Sequence, residues 1–371
     1  MKKLGFGCMR LPLLDKSNEK NIDIEQLKKM VDIYLQNGFT YFDTAYFYHG
    51  GESERAIKTA LVDRYPRESF LLATKMPSML LKEKEDIPRI FSEQLEKTGA
   101  GYFDYYLLHC VTKRLYKVDS ELGAFSYLAE KKAEGKIKKL GFSFHDKADI
   151  LDQILTEHPE MEFVQLQINY LDWENPDVQS RKCYEVAVKH GKEVIVMEPV
   201  KGGALATVPT NAEKMLKELD ASKSVASWAI RFAAGLENVI TVLSGMSNLE
   251  QLLDNIGYMR DFKPLSEGER GVCLEVAEEI KKSRVIPCTS CRYCIEKCPV
   301  NIQTPEYLAL YNSYVLGKHI SFSQVREDYK KLSEECTRIS DCIGCKLCED
   351  NCPQHIKVTD TLKLIAKTFE K

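Results

Sequence analysis

The sequence has no long apolar run. It contains no stretch of 18 apolar residues, and the apolar residues that follow the basic start Met1-Lys2-Lys3 are soon interrupted by Arg10. A membrane-spanning helix needs about 20 consecutive apolar residues, and a secretory signal needs an uninterrupted apolar core. We therefore expect no membrane partner and no export, so that the protein remains in the cytoplasm.

A dominant charge of one sign is missing too. The chain carries 52 basic and 55 acidic residues, a formal net charge of -3, with both signs spread along its length. Nucleic-acid-binding proteins usually concentrate basic residues on one face, so we expect no nucleic-acid partner. At 371 residues the chain is long enough for a barrel of about 250 residues plus a small module. The predicted division is a barrel over residues 1–283 and a smaller domain over 284–371.

No Gly-x-Gly-x-x-Gly turn follows any early strand-like segment, so the usual phosphate cradle of an open, doubly wound sheet is absent. Strand-like segments nevertheless alternate with helical patterns. They lie near residues 4–7, 40–43, 70–75, 103–108, 137–142, 163–168, 194–198 and 239–243. Eight such units predict a parallel sheet, and closure into a (β/α)8 TIM barrel leaves no edge strand. The open, doubly wound sheet is the alternative.

Three successive predicted strands end in residues that can carry out chemistry. Asp43 and Tyr48 follow the second strand, Lys75 closes the third, and His109 closes the fourth. In a parallel barrel the carboxyl ends of the strands share one rim, where such folds place their active sites. Each residue alone could be structural, but together they predict one pocket.

These four residues, in this order, resemble the tetrad of the aldo-keto reductases, and the resemblance runs over about residues 4–282. It implies the reduction of a small-molecule carbonyl substrate by NADP(H) or NAD(H). Tyr48 would donate the proton, and the ammonium of Lys75 would lower its pKa from about 10. Asp43 would keep Lys75 charged, and His109 would hydrogen-bond the substrate oxygen.

The same resemblance indicates residues on the nicotinamide side. Ser143 and Gln165 match the residues that hold the carboxamide, although Phe144 replaces an asparagine common in relatives. Met197 stands where many relatives place a tyrosine against the nicotinamide ring, and a thioether can also cover a ring face. The loop that begins with Lys201 could approach a pyrophosphate, and a simple surface turn is the alternative.

After the eighth strand, a turn of small residues opens a helix, whose free amides suit a phosphate. The segment is similar to the adenosine-side segment of the aldo-keto reductase branch that includes the potassium-channel β-subunits. The matching residues are Ser247, Gln251, Asp254 and Asn255. Other branches carry Lys or Arg at the positions of Gly245 and Gln251 to grip the 2′-phosphate, so the choice between NADP(H) and NAD(H) stays open.

The C-terminal region contains two copies of the cysteine run of bacterial ferredoxins, each closed by a proline. In such runs the first three cysteines bind one cluster and the fourth binds the other. We assign one [4Fe-4S] cluster to Cys288, Cys291, Cys294 and Cys352, and a second to Cys342, Cys345, Cys348 and Cys298. Zinc is the alternative, but its four-ligand sites usually pair two Cys-x2-Cys segments.

The two runs are separated by 43 residues with helical periodicity near 307–315 and 322–332. This spacer is longer than in compact β-containing ferredoxins, and the module resembles the helical dicluster ferredoxins of respiratory reductase subunits. The scattered cysteines are predicted to be buried and to pack as small hydrophobic residues. They are Cys8, Cys110, Cys183, Cys273 and Cys336.

The two predicted cofactor types carry electrons differently. Nicotinamide transfers two electrons as a hydride, whereas each cluster takes one, so direct exchange needs a mediator such as a flavin. One hypothesis is a carbonyl reductase with accessory clusters. Another is an electron-transfer protein in which a flavin (FMN) or a nucleotide passes single electrons through the clusters to a redox protein partner. A nucleotide-sensing subunit without turnover is the third.

Overall fold

The computed structural model describes residues 2–15, 18–283, 285–295, 297–317 and 321–370. The chain divides into two compact units. The first comprises Met1–Pro199 and Ala229–Ser266, and the second comprises Val200–Trp228 and Glu267–Lys371. The predicted domain boundary at Arg284 lies outside the described residues, so it stays a prediction about the sequence.

The first unit contains a closed barrel of parallel strands, in which each strand pairs with the next along the chain and the last pairs with the first. The strands are Leu4–Gly7 (β1), Tyr41–Asp43 (β2), Leu71–Met76 (β3), Phe103–Val111 (β4), Ile137–Phe144 (β5), Phe163–Gln167 (β6), Glu193–Met197 (β7) and Val239–Ser244 (β8). The predicted (β/α)8 barrel is confirmed, and the open, doubly wound alternative is wrong because β1 hydrogen-bonds to β8.

Side chains that point into the barrel form a closed cluster. Its buried members are Tyr41, Ala73, Tyr105, Leu107, Phe163, Ile195 and Leu243. Aromatic rings alternate with smaller side chains, so that neighbouring strands interdigitate. Gly141 on β5 is needed for this packing, because a β-carbon there would lie 2.3 Å from the carbonyl oxygen of Phe163 on β6. The filled interior leaves only the rim for chemistry.

Helices follow the strands as the periodicity predicted. Up to residue 259 they are Ile24–Gln36 (α1), Ser53–Ile57 (α2), Asp86–Thr98 (α3), Lys113–Glu121 (α4), Ala124–Ala133 (α5), Ala148–Glu157 (α6), Ser180–Lys189 (α7), Thr210–Leu219 (α8), Val225–Ala234 (α9) and Leu249–Met259 (α10). Helix α1 begins at a side-chain cap, where Asp23 accepts a hydrogen bond from the backbone N–H of Gln26 at 2.9 Å. Helix α3 ends at Gly99, whose φ of 62° only glycine adopts without strain.

Shorter turns connect these elements. The 3-10 turns are Cys8–Arg10, Tyr48–Gly51, Arg67–Ser69, Ser78–Leu80, Lys201–Gly203 and Ile339–Asp341, and α2 continues into a π-helical turn at Lys58–Val62. Several of them lie directly after strands, which places their side chains near the carboxyl ends of those strands.

The described part of the second unit contains helices, turns and irregular segments but no strand. After residue 266 its helices are Glu267–Lys282 (α11), Thr304–Val315 (α12), Phe322–Glu335 (α13), Leu347–Asp350 (α14) and Val358–Phe369 (α15). Their apolar faces meet in one core that includes Tyr307, Val325 and Ile365, and several cysteines of the two runs pack against it. The predicted helices over 307–315 and 322–332 are confirmed as α12 and α13. No helix in the described ranges has the length and apolarity that a membrane span requires.

Candidate active site and metal centres

A buried ion pair forms the base of the candidate active site. Lys75 on β3 is fully buried, and its ammonium donates hydrogen bonds to Asp43 Oδ1 at 2.5 Å and to the carbonyl oxygen of Thr44 at 2.8 Å. The other carboxylate oxygen of Asp43 accepts from Gln165 Nε2 at 3.0 Å. Burial raises the pKa of Asp43, while Lys75 and Gln165 oppose that shift. The pair thus holds the lysine in one position at the ends of β2 and β3.

Tyr48 lies over this pair, at the start of the 3-10 turn after β2. The ammonium of Lys75 is 4.9 Å from the centre of its ring, and the tyrosine is only 9% exposed. The expected lowering of its pKa is not found. Burial, followed by the negative charges of Asp43 and other groups, raises the pKa of Tyr48 well above 10. The phenol therefore remains protonated at neutral pH.

His109 completes the group on β4. Its ring stacks on Phe47 with 4.8 Å between centroids and meets Tyr48 edge to face at 5.8 Å. Burial, together with the charge of Lys75, lowers the pKa of His109 well below 6.5, so the imidazole is neutral. Its Nδ1 is buried and has no hydrogen-bond partner among the described residues. A buried polar atom of this kind is costly unless a ligand satisfies it.

The structure therefore brings the four predicted residues together at one rim, where the phenol of Tyr48 lies next to both the ammonium of Lys75 and the neutral imidazole of His109. Such a group can bind a carbonyl oxygen, supply a proton to it and stabilise the charge left behind. Sequence reasoning missed Phe47, although its position next to Tyr48 in an aromatic run is a signal that could have indicated it.

A buried polar network supports Lys75 from behind, and it was also missed. Gln94 of α3 donates through Nε2 to the carbonyl oxygen of Lys75 at 3.0 Å and to Glu54 Oε1 at 2.8 Å. Thr74 donates to the same Glu54 oxygen at 2.7 Å, and Tyr106 donates to Gln94 Oε1 at 2.5 Å. Burial raises the pKa of Glu54. Polar residues at apolar positions of α2 and α3 are the sequence signal of this network.

The residues predicted on the nicotinamide side lie at the rim, but two of them already have protein partners. Ser143 Oγ on β5 accepts from the backbone N–H of Cys110 at 2.8 Å, and Gln165 on β6 donates to Asp43. Met197 ends β7 and is partly exposed, while Phe144, in place of the usual asparagine, is buried at the end of β5.

The segment after β8 is held in place by its own side chains. The backbone N–H of Ser247 donates to Gln251 Oε1 at 2.7 Å, and Asn255 donates to Ser244 Oγ at 2.7 Å. Asp254 lies near Tyr258 on α10, where burial and then the charge of Asp254 raise the tyrosine's pKa.

Arg10 supplies a cation to this segment. A β-carbon at Gly245 would lie 3.1 Å from Arg10 Cδ, and Ser247 Oγ donates to the carbonyl oxygen of Arg10 at 3.0 Å. The basic residue that the sequence lacks at positions 245 and 251 is thus present nearby, from the turn after β1. Sequence reasoning missed it because the two segments are more than 230 residues apart.

Lys201 belongs to the second unit and has a different partner from the predicted pyrophosphate. It is 1% exposed, and its Nζ donates to Gln354 Oε1 at 2.7 Å. Gln354 lies two residues after Cys352. The predicted role of Lys201 at a pyrophosphate is not tested by this contact.

The four cysteines of the first predicted set lie near one another. The thiol of Cys291 lies within electrostatic range of Cys352, Cys288 and Cys294, and burial raises its pKa well above 9. Burial likewise raises the pKa of Cys294 to about 12, with contributions from Cys288 and Cys352. The fourth cysteine of the second run thus joins the first three of the first run.

The second set lines one small pocket. Its walls include Cys298 from the first run together with Cys342, Cys345 and Cys348, and apolar side chains such as Val300 and Leu362. Soft sulfur donors around an apolar cavity fit a cubane cluster. Within the described residues, no three His, Cys, Asp or Glu side chains are close enough to hold a single metal ion.

The two runs have left-handed residues at matching positions. Ser290 and Arg292 have left-handed φ angles of 52° and 67° in the first run, and Gly344 and Lys346 have 71° and 63° in the second. Such turns direct successive N–H groups inward, as in the bond from Ser290 N–H to Cys288 Sγ at 3.4 Å. The repeated turns and the grouped sulfurs therefore fit two [4Fe-4S] clusters.

The scattered cysteines follow the prediction with one exception. Cys8, Cys110, Cys183 and Cys273 are buried. Cys336 is only half-buried, because it lies at the exposed C-terminal end of α13.

Comparisons with known proteins match two parts of the chain to two different families. Residues 3–276 match the model of the aldo/keto reductase family, and residues 287–357 match that of a 4Fe-4S dicluster domain. An uncharacterized oxidoreductase of Schizosaccharomyces pombe is 25% identical over 69% of this chain and 81% of its own length. The uncharacterized oxidoreductase YqkF of Bacillus subtilis is 24% identical over 69% of this chain and 86% of its own.

Solved structures show the same fold. The holo form of the aldo-keto reductase AKR11C1 from Bacillus halodurans is 24% identical with a TM-score of 0.59, covering 74% of this chain and 91% of that one. An aldo-keto reductase from Klebsiella pneumoniae, solved in complex with NADPH, is 19% identical with a TM-score of 0.59, covering 75% and 90%.

Proposed function

The chain belongs to the aldo/keto reductase family, and from that premise we propose that it reduces the carbonyl group of a small molecule with NADPH or NADH. Tyr48 is the proton donor, and Asp43, Lys75 and His109 complete the catalytic group. The C-terminal region holds two [4Fe-4S] clusters for electron transfer. Thiolate ligands need a reducing compartment, which supports the cytoplasm as the location.

The contact of Tyr48 with Lys75 and His109 is the observation that carries this proposal. When bound, the nicotinamide supplies a hydride and the clusters carry single electrons. The substrate oxygen accepts hydrogen bonds from Tyr48 and His109, which orient it. Tyr48 then gives up its proton to that oxygen, and the ammonium 4.9 Å from the ring stabilises the phenolate that remains.

Replacement of Tyr48 by phenylalanine tests the proposal. We expect Tyr48→Phe to lower kcat for aldehyde reduction at least 100-fold, because general acid catalysis contributes about 10²–10⁴-fold. Nucleotide affinity, measured by quenching of protein fluorescence, should change less than threefold.

Tyr46→Phe is the matched control. Its hydroxyl bonds to Glu93 at 2.6 Å, away from the tetrad, so its activity should remain near that of the wild type. Turnover retained by Tyr48→Phe would mean that the proton comes from elsewhere.

The nucleotide site that we propose runs along the rim. Ser143 and Gln165 hold the carboxamide and Met197 covers the ring. The turn after β8 holds the adenosine side through Gly245, Ser247, Gln251, Asp254 and Asn255. Arg10 lies against this turn and favours NADPH, the nucleotide bound in the related Klebsiella pneumoniae structure.

Arg10→Ala should therefore weaken NADPH binding about tenfold and NADH binding less than twofold, because only NADPH carries the 2′-phosphate. One good charge-assisted contact is worth about 1.5–3 kcal/mol. Titration of both nucleotides against wild type and variant measures the difference. Equal losses for the two nucleotides would remove Arg10 from the preference.

A second candidate function is an electron-transfer protein in which a flavin or nucleotide passes single electrons through the clusters to a redox protein partner. The grouping of all eight ligand cysteines into two sets favours it, since a structural role would not need clusters of adjustable potential. The cofactor released by heating anaerobically purified protein separates the two candidates. Free flavin supports the electron-transfer protein, and nucleotide alone supports the reductase.

A further inference from the structure

A lysine is buried beside one cysteine set. Lys201 is 1% exposed and has a left-handed φ of 47°, a conformation that non-glycine residues adopt only where their surroundings enforce it. An ammonium group removed from water requires compensation by nearby polar or negative groups. The Nζ of Lys201 donates one hydrogen bond to Oε1 of Gln354 at 2.7 Å.

Two close contacts fix the position of this lysine. Gln354 follows Cys352 by two residues, and Lys201 lies within electrostatic range of that thiol. On the other side, Gly202 has a φ of 63°, and a β-carbon there would lie 2.5 Å from Cα of Thr289. Thr289 is buried and directly follows Cys288. The segment that carries Lys201 is thus packed against residues one or two positions after the first and the last cysteine of one cluster set.

We propose that Lys201 supplies the positive charge that raises the reduction potential of the [4Fe-4S] cluster held by Cys288, Cys291, Cys294 and Cys352. The inference depends on the proposed presence of that cluster. Reduction adds one electron, and hence one unit of negative charge, to a group already bound by four thiolates. A buried cation stabilises the reduced form more than the oxidised form, because the interaction is poorly screened.

The second cluster set has no comparable buried lysine among the described residues. Cys345 is exposed, and the neighbouring Lys346 is exposed to water as well. Water and salt screen such a charge. Lys346 is therefore the matched control, a lysine adjacent to a cluster cysteine that should have little effect on potential.

The test is a redox titration of the full-length holoprotein, prepared anaerobically and followed by electron paramagnetic resonance. Cys345→Ser identifies the signal of the second cluster. We expect Lys201→Met to shift the midpoint of the first cluster to lower potential by at least a tenfold change in its reduction equilibrium, about 59 mV for one electron. The second cluster should not move. Lys201→Arg should retain the wild-type midpoint of the first cluster, because it keeps the positive charge. Lys346→Met should leave the midpoints of both clusters unchanged.

Iron content distinguishes the possible failures. A wild-type protein without eight irons refutes the proposed clusters and this inference together. An unchanged midpoint in Lys201→Met with eight irons overturns the inference alone. Lys201→Gln is a second uncharged variant for the case in which Lys201→Met loses iron, and it must give the same downward shift. Loss of the first cluster from both uncharged variants but not from Lys201→Arg supports the role of the charge, whereas loss from all three overturns it.

Discussion

At the scale of single residues, burial controls the protonation of the proposed catalytic group. Tyr48 and His109 are both removed from water, which raises the pKa of the phenol and lowers that of the imidazole. Both shifts favour the neutral forms. The ammonium of Lys75 donates hydrogen bonds to Asp43 and Thr44 while Tyr48 is neutral. In the proposed reaction it stabilises the Tyr48 phenolate that forms when the proton is transferred.

The pH dependence of carbonyl reduction should follow from these shifts. His109 loses its charge well below pH 6.5 and Tyr48 keeps its proton well above pH 10, so neither group titrates between those values. We expect kcat/KM for reduction to be constant from about pH 7 to pH 9. The reverse reaction needs the phenolate and should accelerate as pH rises. An inflection near pH 6.5 in the reduction profile would show that His109 titrates in the normal range.

Asp119 on α4 provides a separate test of burial. Its carboxyl is fully buried beside Ser78 Oγ, Oδ1 has no partner among the described residues, and burial raises its pKa to about 8. The unfolded value is about 3.9, so this group contributes stability that is present below about pH 4 and lost as pH rises to 8.

Replacing Asp119 by asparagine, which does not ionise, should remove this loss of stability at rising pH. We expect the variant to unfold at a higher temperature than the wild type at pH 8, with a smaller difference at pH 5, as measured by calorimetry. Asp261→Asn, at an exposed site, should show no such trend. A difference that does not grow with pH would contradict a buried ionisable carboxyl.

At the scale of elements, two glycines should respond oppositely to the same change. Gly141→Ala places a β-carbon against the backbone of β6 and should destabilise the barrel by on the order of 2–4 kcal/mol. Gly257→Ala, in α10 with no atom within 4 Å of the added carbon, should stabilise it by about 0.5–1 kcal/mol. Urea unfolding followed by circular dichroism measures both. Destabilisation by both variants would show that the tight packing at β5 and β6 is not the cause.

The sequence predicted the positions of strands and helices better than it predicted the side-chain contacts between them. Apolar runs such as 103–108 and 163–168 placed the strands within a few residues, because burial on both faces requires continuous apolar sequence. The tetrad was found because strand order alone brings its members to one rim. Arg10 at the turn after β8 and Gln94 behind Lys75 were not found, since tertiary packing sets such contacts and no local pattern encodes them.

At the scale of the whole molecule, the rate at which the clusters are reduced should depend on whether the reductant supplies single electrons or a hydride. Dithionite supplies single electrons and should reduce the clusters of anaerobic protein within minutes, seen as loss of absorbance near 400 nm. NADPH alone should reduce them at least tenfold more slowly, because it gives up two electrons as a hydride. Added FMN should accelerate the reaction. Rapid bleaching by NADPH in flavin-free protein would indicate a direct route and favour the electron-transfer function.

The proposed exchange of the fourth cluster ligand between the two cysteine runs would tie the halves of the C-terminal region to each other. Cys352 belongs with the first three cysteines, and Cys298 belongs with the cavity of the second run. A truncation before residue 342 would remove Cys352, so the first set would keep only three of its four sulfur ligands. Neither cluster could then form with all four ligands in a protein that lacks the other cysteine run, so the region would assemble as one unit despite its duplicated sequence.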